Sequence, residues 1–392
     1  MTRESSNIIG VFSLAFAPFV GGAEIALQEI IKRSPKYRFI CFTCRFDASV
    51  PREESYDNIQ IFRVGHGQGF YKGTFQKAQY IWYAWRRAEK AHKKDPFIAI
   101  WAMMASYAGM AALLFKIRHP HVPFLLTLQE GESEAYILKR VRYFYPLWKI
   151  IFKRADRIQV ISRHLKEFAI RHGATCPIDI IPNGVDVKKF STRDGSVLGG
   201  KVKSLRLKGY DRENPFTIIT TSRLVYKNGI DILIHACAQL PITNYVLRIV
   251  GQGPDEGELK ELVAEYGLTE RIVFEGHIPY EEIPLYLSQS DIFVRASRSE
   301  GLGNSFIEAM AVGLPVIGTN VGGIPDIIEN EKNGLLIPLE NRDALVSAIE
   351  RLREDMVLRS KLGSEGRRTA EKYDWNIISE RMQEVFKKVT HL

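Results

Sequence analysis

Two glutamates stand eight residues apart in "RSEGLGNSFIEAMAVGLPVI" (298–317), a stretch that predicts a loop, a helix and then a strand. Between Glu300 and Glu308 lie two glycines, Asn304 and Ser305. The backbone N–H groups at such a helix entrance attract an anion, because they have no partner within the helix. Carboxylates accept hydrogen bonds from sugar hydroxyls. The pattern therefore suits a diphosphate flanked by hydroxylated rings, which is the layout of a nucleotide sugar.

A structural interpretation competes with this one for Glu308. Ser305 and Glu308 have the spacing of a capping box, in which two side chains satisfy backbone N–H groups at the start of a helix. Asn304 could be the cap instead of Ser305. Glu300 precedes the helix and gains nothing from capping, so its carboxylate favours the ligand-binding interpretation.

The elements that must position these residues are short apolar strands alternating with helical patterns. Such alternation is typical of parallel sheets covered by helices on both faces, and 392 residues exceed one ordinary core. We therefore predict two doubly wound α/β domains. The predicted strands are "NIIGVFS", "RFICFT", "IQIFRV", "FIAIWA", "FLLTLQ", "RIQVIS" and "IDIIP" in the first half, and "FTIITTS", "YVLRIVG", "RIVFEG", "DIFVRA", "LPVIGT" and "GLLIPL" in the second.

The domain boundaries follow from composition. Residues 191–214 have few large apolar side chains and several Gly, Ser and Lys, which indicates a connector. The first domain is then 1–190 and the second 215–373. An amphipathic helix is predicted from Asp374 through residue 392, crossing back to the first domain.

Glycine-rich turns follow several strands, where a backbone can approach a phosphate. They are "FVGGAE" (19–24), "VGQGPDEGEL" (250–259), "SEGLGNSF" (299–306) and "NVGGIPD" (320–326). The third glycine of "GQGPDEG" comes one residue too late for a dinucleotide fingerprint, and no Walker-type G-K-[ST] is present.

Charge is unevenly distributed. Residues 1–190 contain 29 Lys and Arg against 16 Asp and Glu, a net of +13, whereas the whole chain has +9. The basic half therefore suggests an anionic partner. Within it, 139–157 surrounds Tyr143, Phe144, Tyr145, Trp148 and Phe152 with Lys and Arg, and its helix is expected to begin at Pro146. Basic flanks with aromatic anchors favour peripheral contact with anionic membranes, although an ordinary domain helix explains the pattern as well.

The cysteines, the histidines and the apolar segments argue against a disulfide-bonded, a metal-binding and a membrane-spanning protein. Four cysteines fit a reducing compartment, and Cys41 and Cys44 lie in a predicted strand at a spacing that separates their side chains. The nine histidines show no ligand spacing, so we expect no metal site. The uncharged run from Phe97 to Phe115 fits a buried strand and helix better than a membrane span, and the apolar segment near the start makes a poor signal peptide. We expect a cytoplasmic protein, at most peripheral on the inner face of the membrane.

The stretch "EGLGNSFIEAMAVGLPVI" (300–317) resembles the E-x7-E signature of the retaining glycosyltransferases of family 4, which have the GT-B fold of two Rossmann-like domains facing a cleft. The resemblance covers nearly the whole chain. It extends through "GGAE" (21–24), "VIS" (160–162), "IPNGVD" (181–186), "SRLVYKNGID" (222–231), "VGQGPDEGEL", "FEGHIP" (274–279) and "GGIPDII" (322–328).

The resemblance implies a role for each matching position. Glu308 would bind the donor ribose and Glu300 the donor sugar, while Arg223 and Lys227 would neutralise the diphosphate without a metal. Backbone groups at the glycine loops, at the helix entrance and beside the base would complete the donor site: Gly21, Gly22, Gly251, Gly253, His277, Ile278, Asn304 and Ser305.

Two positions depart from the family pattern. The family places its second phosphate-binding Lys five residues after the Arg, where this chain has Asn228, and Lys227 comes one residue earlier. The family often has a His after the strand "FLLTL", where this chain has Gln129 followed by Glu130. Glutamine can position a sugar but cannot transfer a proton.

Function is therefore predicted as sugar transfer from a nucleoside-diphosphate sugar to a hydroxyl acceptor, such as a lipid-linked or cell-surface glycan precursor. A UDP-sugar is favoured over a GDP-sugar, and nucleic acid is not an expected partner. Two alternatives stay open: a nucleotide-sugar epimerase or phosphorylase on the same fold, and a non-catalytic two-lobed sugar-binding protein.

Overall fold

The structure is a computed structural model of the chain, and it describes residues 7–19, 21–67, 74–191 and 215–390. The predicted connector, 191–214, lies outside the described residues except for Ser191. Two compact units are present. Unit 1 comprises Met1–Asn183 and Trp375–Leu392, and unit 2 comprises Gly184–Asp374. Residues 184–190, which the sequence assigns to the first domain, thus belong to unit 2.

Unit 1 is an α/β layer structure built on eight strands. They are β1 (Ile8–Phe12), β2 (Arg38–Cys44), β3 (Glu53–Tyr56), β4 (Ile59–Val64), β5 (Ala99–Met103), β6 (Phe124–Leu128), β7 (Arg157–Val160) and β8 (Ile178–Ile180). Their order in the sheet is β3-β4-β2-β1-β5-β6-β7-β8. The pairing is parallel throughout except between β3 and β4.

Helices connect these strands, as parallel pairing requires. They are α1 (Gly22–Lys32), α2 (Thr74–Lys94), α3 (Tyr107–Arg118), α4 (Glu134–Val141), α5 (Tyr145–Arg154) and α6 (Arg163–Arg171), with a 3-10 turn at Arg142–Phe144. The helix α14 (Trp375–Thr390) also belongs to unit 1. Its buried Phe386 packs edge-on against Trp101 of β5, with ring centroids 5.2 Å apart, so α14 completes the core on one face of the sheet.

Unit 2 contains a six-stranded parallel sheet. Its strands are β9 (Phe216–Thr221), β10 (Tyr245–Val250), β11 (Ile272–Gly276), β12 (Ile292–Arg295), β13 (Val316–Thr319) and β14 (Leu335–Ile337). Their order, β11-β10-β9-β12-β13-β14, is the doubly wound order 3-2-1-4-5-6 of Rossmann domains. The strand order therefore reverses between β9 and β12.

The helices of unit 2 cover this sheet. They are α7 (Val187–Ser191), α8 (Ile230–Gln239), α9 (Glu256–Glu265), α10 (Ile283–Ser288), α11 (Asn304–Val312), α12 (Arg342–Glu354) and α13 (Met356–Glu371), with 3-10 turns at Tyr226–Asn228 and Ile324–Asp326.

All thirteen predicted strands are present, with ends within two residues of the predicted ones. The strand β3 is not predicted, because its four residues "EESY" are all exposed and carry no apolar pattern. The run from Phe97 to Phe115 forms β5 and part of α3, as predicted. Cys41 and Cys44 are both buried in β2. Among the described helices, none combines the length and apolarity needed to cross a bilayer.

Candidate functional site

The loops after β9 and β12 carry the predicted donor-binding residues of unit 2. These strands are neighbours where the sheet order reverses, which is where an open parallel sheet binds ligands. Arg223 follows β9 with an exposed side chain. Glu300 follows β12 and leads into α11. The topology thus brings Arg223, Glu300 and the first turn of α11 to one edge of the sheet.

A buried arginine that the sequence analysis does not single out joins these loops. Arg295 ends β12, its side chain is 11% exposed, and its Nη2 lies 2.6 Å from Glu300 Oε2. Its guanidinium also donates to Ser305 Oγ at 2.8 Å and to Asn228 Oδ1 at 2.9 Å. The only signal in the sequence is a charged residue at the end of an apolar strand. Arg295 therefore connects the loop after β9, the loop after β12 and α11.

Asn228 occupies the position where the resemblance implies a phosphate-binding lysine. It is buried, and its Nδ2 donates to the Arg223 carbonyl at 2.6 Å. Because its Oδ1 accepts from Arg295, the amide is bonded within the protein at both ends. The neighbouring Lys227 is half-buried, and its carbonyl accepts from the backbone N–H of Arg298 at 2.7 Å. Its role at a diphosphate stays a prediction.

The alternative interpretation of Ser305 and Glu308 as a capping box at the start of α11 is wrong. The N-cap is Gly303, whose φ of 99° lies in the left-handed region, and no side chain caps the helix. Asn304 is the first helical residue, and the Ser305 hydroxyl accepts from Arg295 instead of from the backbone. Glycine can adopt this positive φ without strain, which a serine cap could not. Capping therefore does not explain Glu308.

Glu308 lies on α11, and the residue as a whole is half-buried. Burial raises its pKa to about 7, although a hydrogen bond from Tyr280 and the charges of Arg295 and Lys189 act in the opposite direction. A carboxyl that changes charge near neutral pH is typical of functional sites.

The glycines of the predicted donor loops are required by contacts between the loops themselves. Gly251 has a φ of 131°, and a Cβ there would lie 1.9 Å from the Ser222 carbonyl oxygen. A Cβ on Gly253 would lie 2.0 Å from the Leu224 carbonyl oxygen. The loop after β10 therefore lies directly on the loop after β9. Contact of Gly251 and Gly253 with a donor stays a prediction.

Two residues predicted beside the base, His277 and Ile278, follow β11 directly. The carbonyl of the preceding Gly276 accepts from the Gly251 N–H at 2.8 Å, which ties this loop to the loop after β10. The His277 side chain is exposed and Ile278 is half-buried.

In unit 1, Gly21 and Gly22 form the start of α1 after β1. Gly21 is the N-cap, and its N–H donates to Glu24 Oε2 at 2.8 Å, so the glutamate of "GGAE" is a capping residue. Gly22 lies in the first turn, where an N–H group has no helical partner.

Gln129 follows β6 in unit 1 and is held by a neighbour. Asn183 Nδ2 donates to Gln129 Oε1 at 2.9 Å, which leaves the amide nitrogen as the end able to address a ligand. The adjacent Glu130 accepts from the Ala105 N–H at 3.0 Å through Oε1. Burial raises the pKa of Glu130 to about 7.

Three histidines that are separate in the sequence approach one another in unit 1. Possible ligand atoms of His92, His119 and His121 lie within 4.8 Å of one another. However, His92 Nδ1 accepts from the Phe97 N–H at 2.9 Å, so it cannot carry the proton that metal binding through Nε2 requires. His119 Nε2 lies 3.0 Å from Glu89 Oε1. These bonds do not suit a metal centre.

The predicted membrane anchors in 139–157 are partly wrong. Trp148 and Phe152 are 2% and 0% exposed, because α5 turns them into the core against Phe168. The helix also begins at Tyr145, one residue before Pro146. Tyr143 is 82% exposed. The exposed apolar residues of this segment are Tyr143, Phe144 and Leu147.

Each half of the chain matches the model of a known family. Residues 20–189 match the model described as Glycosyltransferase Family 4, and residues 204–369 match the model described as Glycosyl transferases group 1. A GDP-mannose-dependent alpha-(1-6)-phosphatidylinositol monomannoside mannosyltransferase of Mycolicibacterium smegmatis is 28% identical over 242 residues. That match covers 59% of this chain and 62% of the relative, so it spans less than two thirds of the relative's length.

Solved structures share the fold. Sucrose-phosphate synthase of Thermosynechococcus elongatus has a TM-score of 0.84 at 23% identity, covering 98% of this chain and 99% of that one. Anabaena HepE, in complex with UDP and glucose, has a TM-score of 0.76 at 21% identity, covering 97% and 99%. At these identities the likeness concerns the fold.

Proposed function

Because the chain belongs to glycosyltransferase family 4 and has the GT-B fold, we propose that it is a retaining glycosyltransferase acting on a nucleoside-diphosphate sugar. The sugar moves to the hydroxyl of a glycan or glycolipid acceptor. The observation that carries this proposal is the placement of Glu300 and the start of α11 beside Arg223 at the reversal point of the unit 2 sheet.

The diphosphate is the leaving group of the proposed reaction. The bond between the anomeric carbon and the phosphate oxygen breaks, and negative charge develops on the diphosphate. This charge is stabilised by Arg223 and Lys227 and by the backbone N–H groups of Asn304 and Ser305, as oriented positive groups do without a metal. No divalent ion is needed in this scheme.

The two glutamates bind the rest of the donor. Glu308 accepts hydrogen bonds from the ribose hydroxyls, and Glu300 binds hydroxyls of the transferred sugar. His277 and Ile278 hold the base through their backbone. The acceptor oxygen attacks the anomeric carbon on the face that the diphosphate leaves, and its proton passes to the leaving phosphate. Gln129 positions the sugar by donating from its amide, since it cannot transfer a proton.

UDP is the proposed nucleotide, with GDP as the second choice. The fold neighbour HepE is described with UDP and glucose, and the mycobacterial relative is described as GDP-mannose-dependent. A thermal-shift series with UDP-, GDP- and ADP-sugars separates these donors. Ligand at a hundred times its Kd stabilises the protein by roughly 2.7 kcal/mol, and the matching nucleotide should raise the melting temperature most.

A transfer assay tests the function itself. Wild-type protein is incubated with the selected donor and candidate glycan or glycolipid acceptors, and the anomeric configuration of the product is read by NMR. A product with the donor's configuration supports retention. Inversion contradicts the retaining mechanism, while isomerisation of the donor without any acceptor supports an epimerase. Binding with no turnover supports a sugar-binding protein.

A membrane-surface acceptor is the proposed partner of unit 1. Exposed Tyr143, Phe144 and Leu147 lie among basic residues of 139–157. Apolar side chains with basic neighbours favour binding to anionic lipid. This surface replaces the anchors Trp148 and Phe152, which are buried.

A further inference from the structure

Unit 2 lacks a lysine at the position where the resemblance implies a second phosphate-binding cation. Residue 228 is Asn, whose amide is neutral and is bonded at both ends within the protein. Arg223 and Lys227 supply positive charges on the same loop. A buried guanidinium beside this loop adds to the compensation of the developing diphosphate charge.

A positive charge is present beside Asn228, but it comes from a different strand. Arg295 Nη2 lies 2.9 Å from Asn228 Oδ1, and Nη1 lies 2.8 Å from Ser305 Oγ in the first turn of α11. An arginine keeps its charge when buried. The guanidinium therefore occupies the space between the loop after β9 and the anion-attracting end of α11.

We propose that Arg295 is a third cation of the donor site, beside Arg223 and Lys227, and the positioning residue of Glu300. Its charge stands in for the lysine absent from position 228, and its ion pair fixes the Glu300 carboxylate toward the sugar. This inference rests on the proposed function, because it assigns Arg295 to the same donor site.

The bonding of Arg295 differs from that of a purely structural arginine. Arg295 Nε is buried and has no hydrogen-bond partner among the described residues, whereas Glu300 Oε2 is held by the ion pair with Arg295 Nη2 at 2.6 Å. By contrast, Arg248 and Glu275 join β10 and β11 through Nε and Nη2, at 2.7 and 2.6 Å. Unmet buried polar groups destabilise a fold, and they are expected where function outweighs stability.

A charge-relocation experiment tests the role of Arg295. In Arg295→Leu, the arginine stem is replaced by an apolar side chain and Glu300 loses its partner. In the double variant Arg295→Leu, Asn228→Lys, a lysine reaches the vacated space from the loop after β9. We measure kcat and KM for donor, and Kd for UDP and GDP, in both variants and in Arg295→Lys.

We expect activity to be lost in the single variant and partly recovered in the double variant. Arg295→Leu should lower kcat about a hundredfold and weaken nucleotide diphosphate binding about tenfold, because it removes a positive group that stabilises the developing charge. The Asn228→Lys change should restore kcat at least about tenfold, because it returns a positive charge to the same place. Arg295→Lys should fall between wild type and Arg295→Leu, since lysine keeps the charge but loses the fork of donors.

A matched control separates this role from folding. Arg248→Leu breaks a different buried arginine–glutamate pair of unit 2, and it should lower the melting temperature without changing nucleotide Kd. If Arg295→Leu is folded and keeps the kcat and nucleotide Kd of the wild type, the inference is overturned. If Asn228→Lys does not restore kcat in the double variant, the inference is also overturned. An arginine with only a structural role would be replaced by the lysine of Arg295→Lys, or by neither lysine. Wild type that binds neither UDP nor GDP contradicts the proposed function itself.

Discussion

Tyr280 donates a hydrogen bond to the carboxylate of Glu308, and Lys189 Nζ lies 4.8 Å from the centre of the Tyr280 ring. Despite these groups, burial holds the pKa of Glu308 at about 7. The folded state therefore favours the protonated carboxyl. Its contribution to stability is complete below the unfolded pKa of about 4.5 and is lost as pH rises through about 7.

Replacing Glu308 by Gln should separate stability from binding. Since Gln cannot ionise, Glu308→Gln should exceed wild type in stability at pH 8 by on the order of 1 kcal/mol, and the difference should shrink at pH 5. Nucleotide affinity should nevertheless fall, because ribose hydroxyls lose an ionised acceptor. Thermal melts at both pH values and nucleotide titrations measure the two effects. An equal pH dependence in variant and wild type would contradict the assignment.

As a companion variant, Tyr280→Phe removes only the hydrogen bond. The pKa of Glu308 should rise further, so the pH midpoint of nucleotide binding should move upward. Tyr286→Phe, on the neighbouring α10, should leave the midpoint in place.

Two glycine substitutions should have opposite signs. Gly322 has a φ of 56°, and a Cβ would lie 1.9 Å from the Glu300 carbonyl oxygen. Gly322→Ala should therefore destabilise by at least about 2 kcal/mol and displace Glu300. Gly257, in α9, has nothing within 4 Å of its Cβ position, so Gly257→Ala should stabilise by about 0.5–1 kcal/mol. Denaturant melts compare the pair, and similar effects at both sites would refute the loop-contact argument.

Gln129 should act through its amide nitrogen. Gln129→Glu keeps the acceptor for Asn183 but loses the Nε2 donor. We expect kcat/KM to fall about tenfold, equivalent to about 1.4 kcal/mol, without loss of stability. Asn183→Ala should produce a smaller fall, since it frees the amide without removing it. Steady-state kinetics measure both variants, and an unchanged kcat/KM in Gln129→Glu would exclude Gln129 from the site.

Metal removal should leave sugar transfer nearly intact. The proposed neutralising groups are Arg223, Lys227 and Arg295 together with helix N-termini. Transfer is measured after EDTA treatment and again with added Mg²⁺ or Mn²⁺. A strict requirement for either ion would show that these groups are insufficient.

Anionic vesicles should bind unit 1 through 139–157. Changing Lys149, Lys153 and Arg154 to Glu should abolish co-sedimentation at low salt, because binding depends on attraction to lipid phosphate. Lys36, Lys93 and Lys94 changed to Glu give a control with the same change in charge. Equal binding of the two variants, or no wild-type binding, would favour a soluble acceptor.

Apolar strand patterns predict the fold of this chain closely, because buried parallel strands must be nearly continuous in apolar residues. The exposed "EESY" of β3 has no such pattern, and its antiparallel pairing with β4 comes with an ion pair between Glu54 and Arg63. Residue spacing alone could not predict the start of α11. Ser305 and Glu308 have the spacing of a capping box, but the N-cap is Gly303.

The Arg295 network could not be predicted for a different reason. Asn228 and Arg295 are 67 residues apart in sequence, and their contact exists only because β9 and β12 are neighbours in the sheet. Single-sequence reasoning finds residues that share a motif. It does not find a charge supplied by another strand.

The interruption of unit 1 by unit 2 has a consequence for synthesis on the ribosome. The ends of unit 2 are joined by a hydrogen bond from the Val185 N–H to the Tyr373 carbonyl at 2.8 Å, so this unit is complete once residue 374 has emerged. The core of unit 1 is completed later, because Trp375 and Phe386 of α14 belong to it. The nascent first unit therefore keeps an apolar face uncovered while nearly two hundred residues are translated, which makes it a client for chaperones that shield such surfaces.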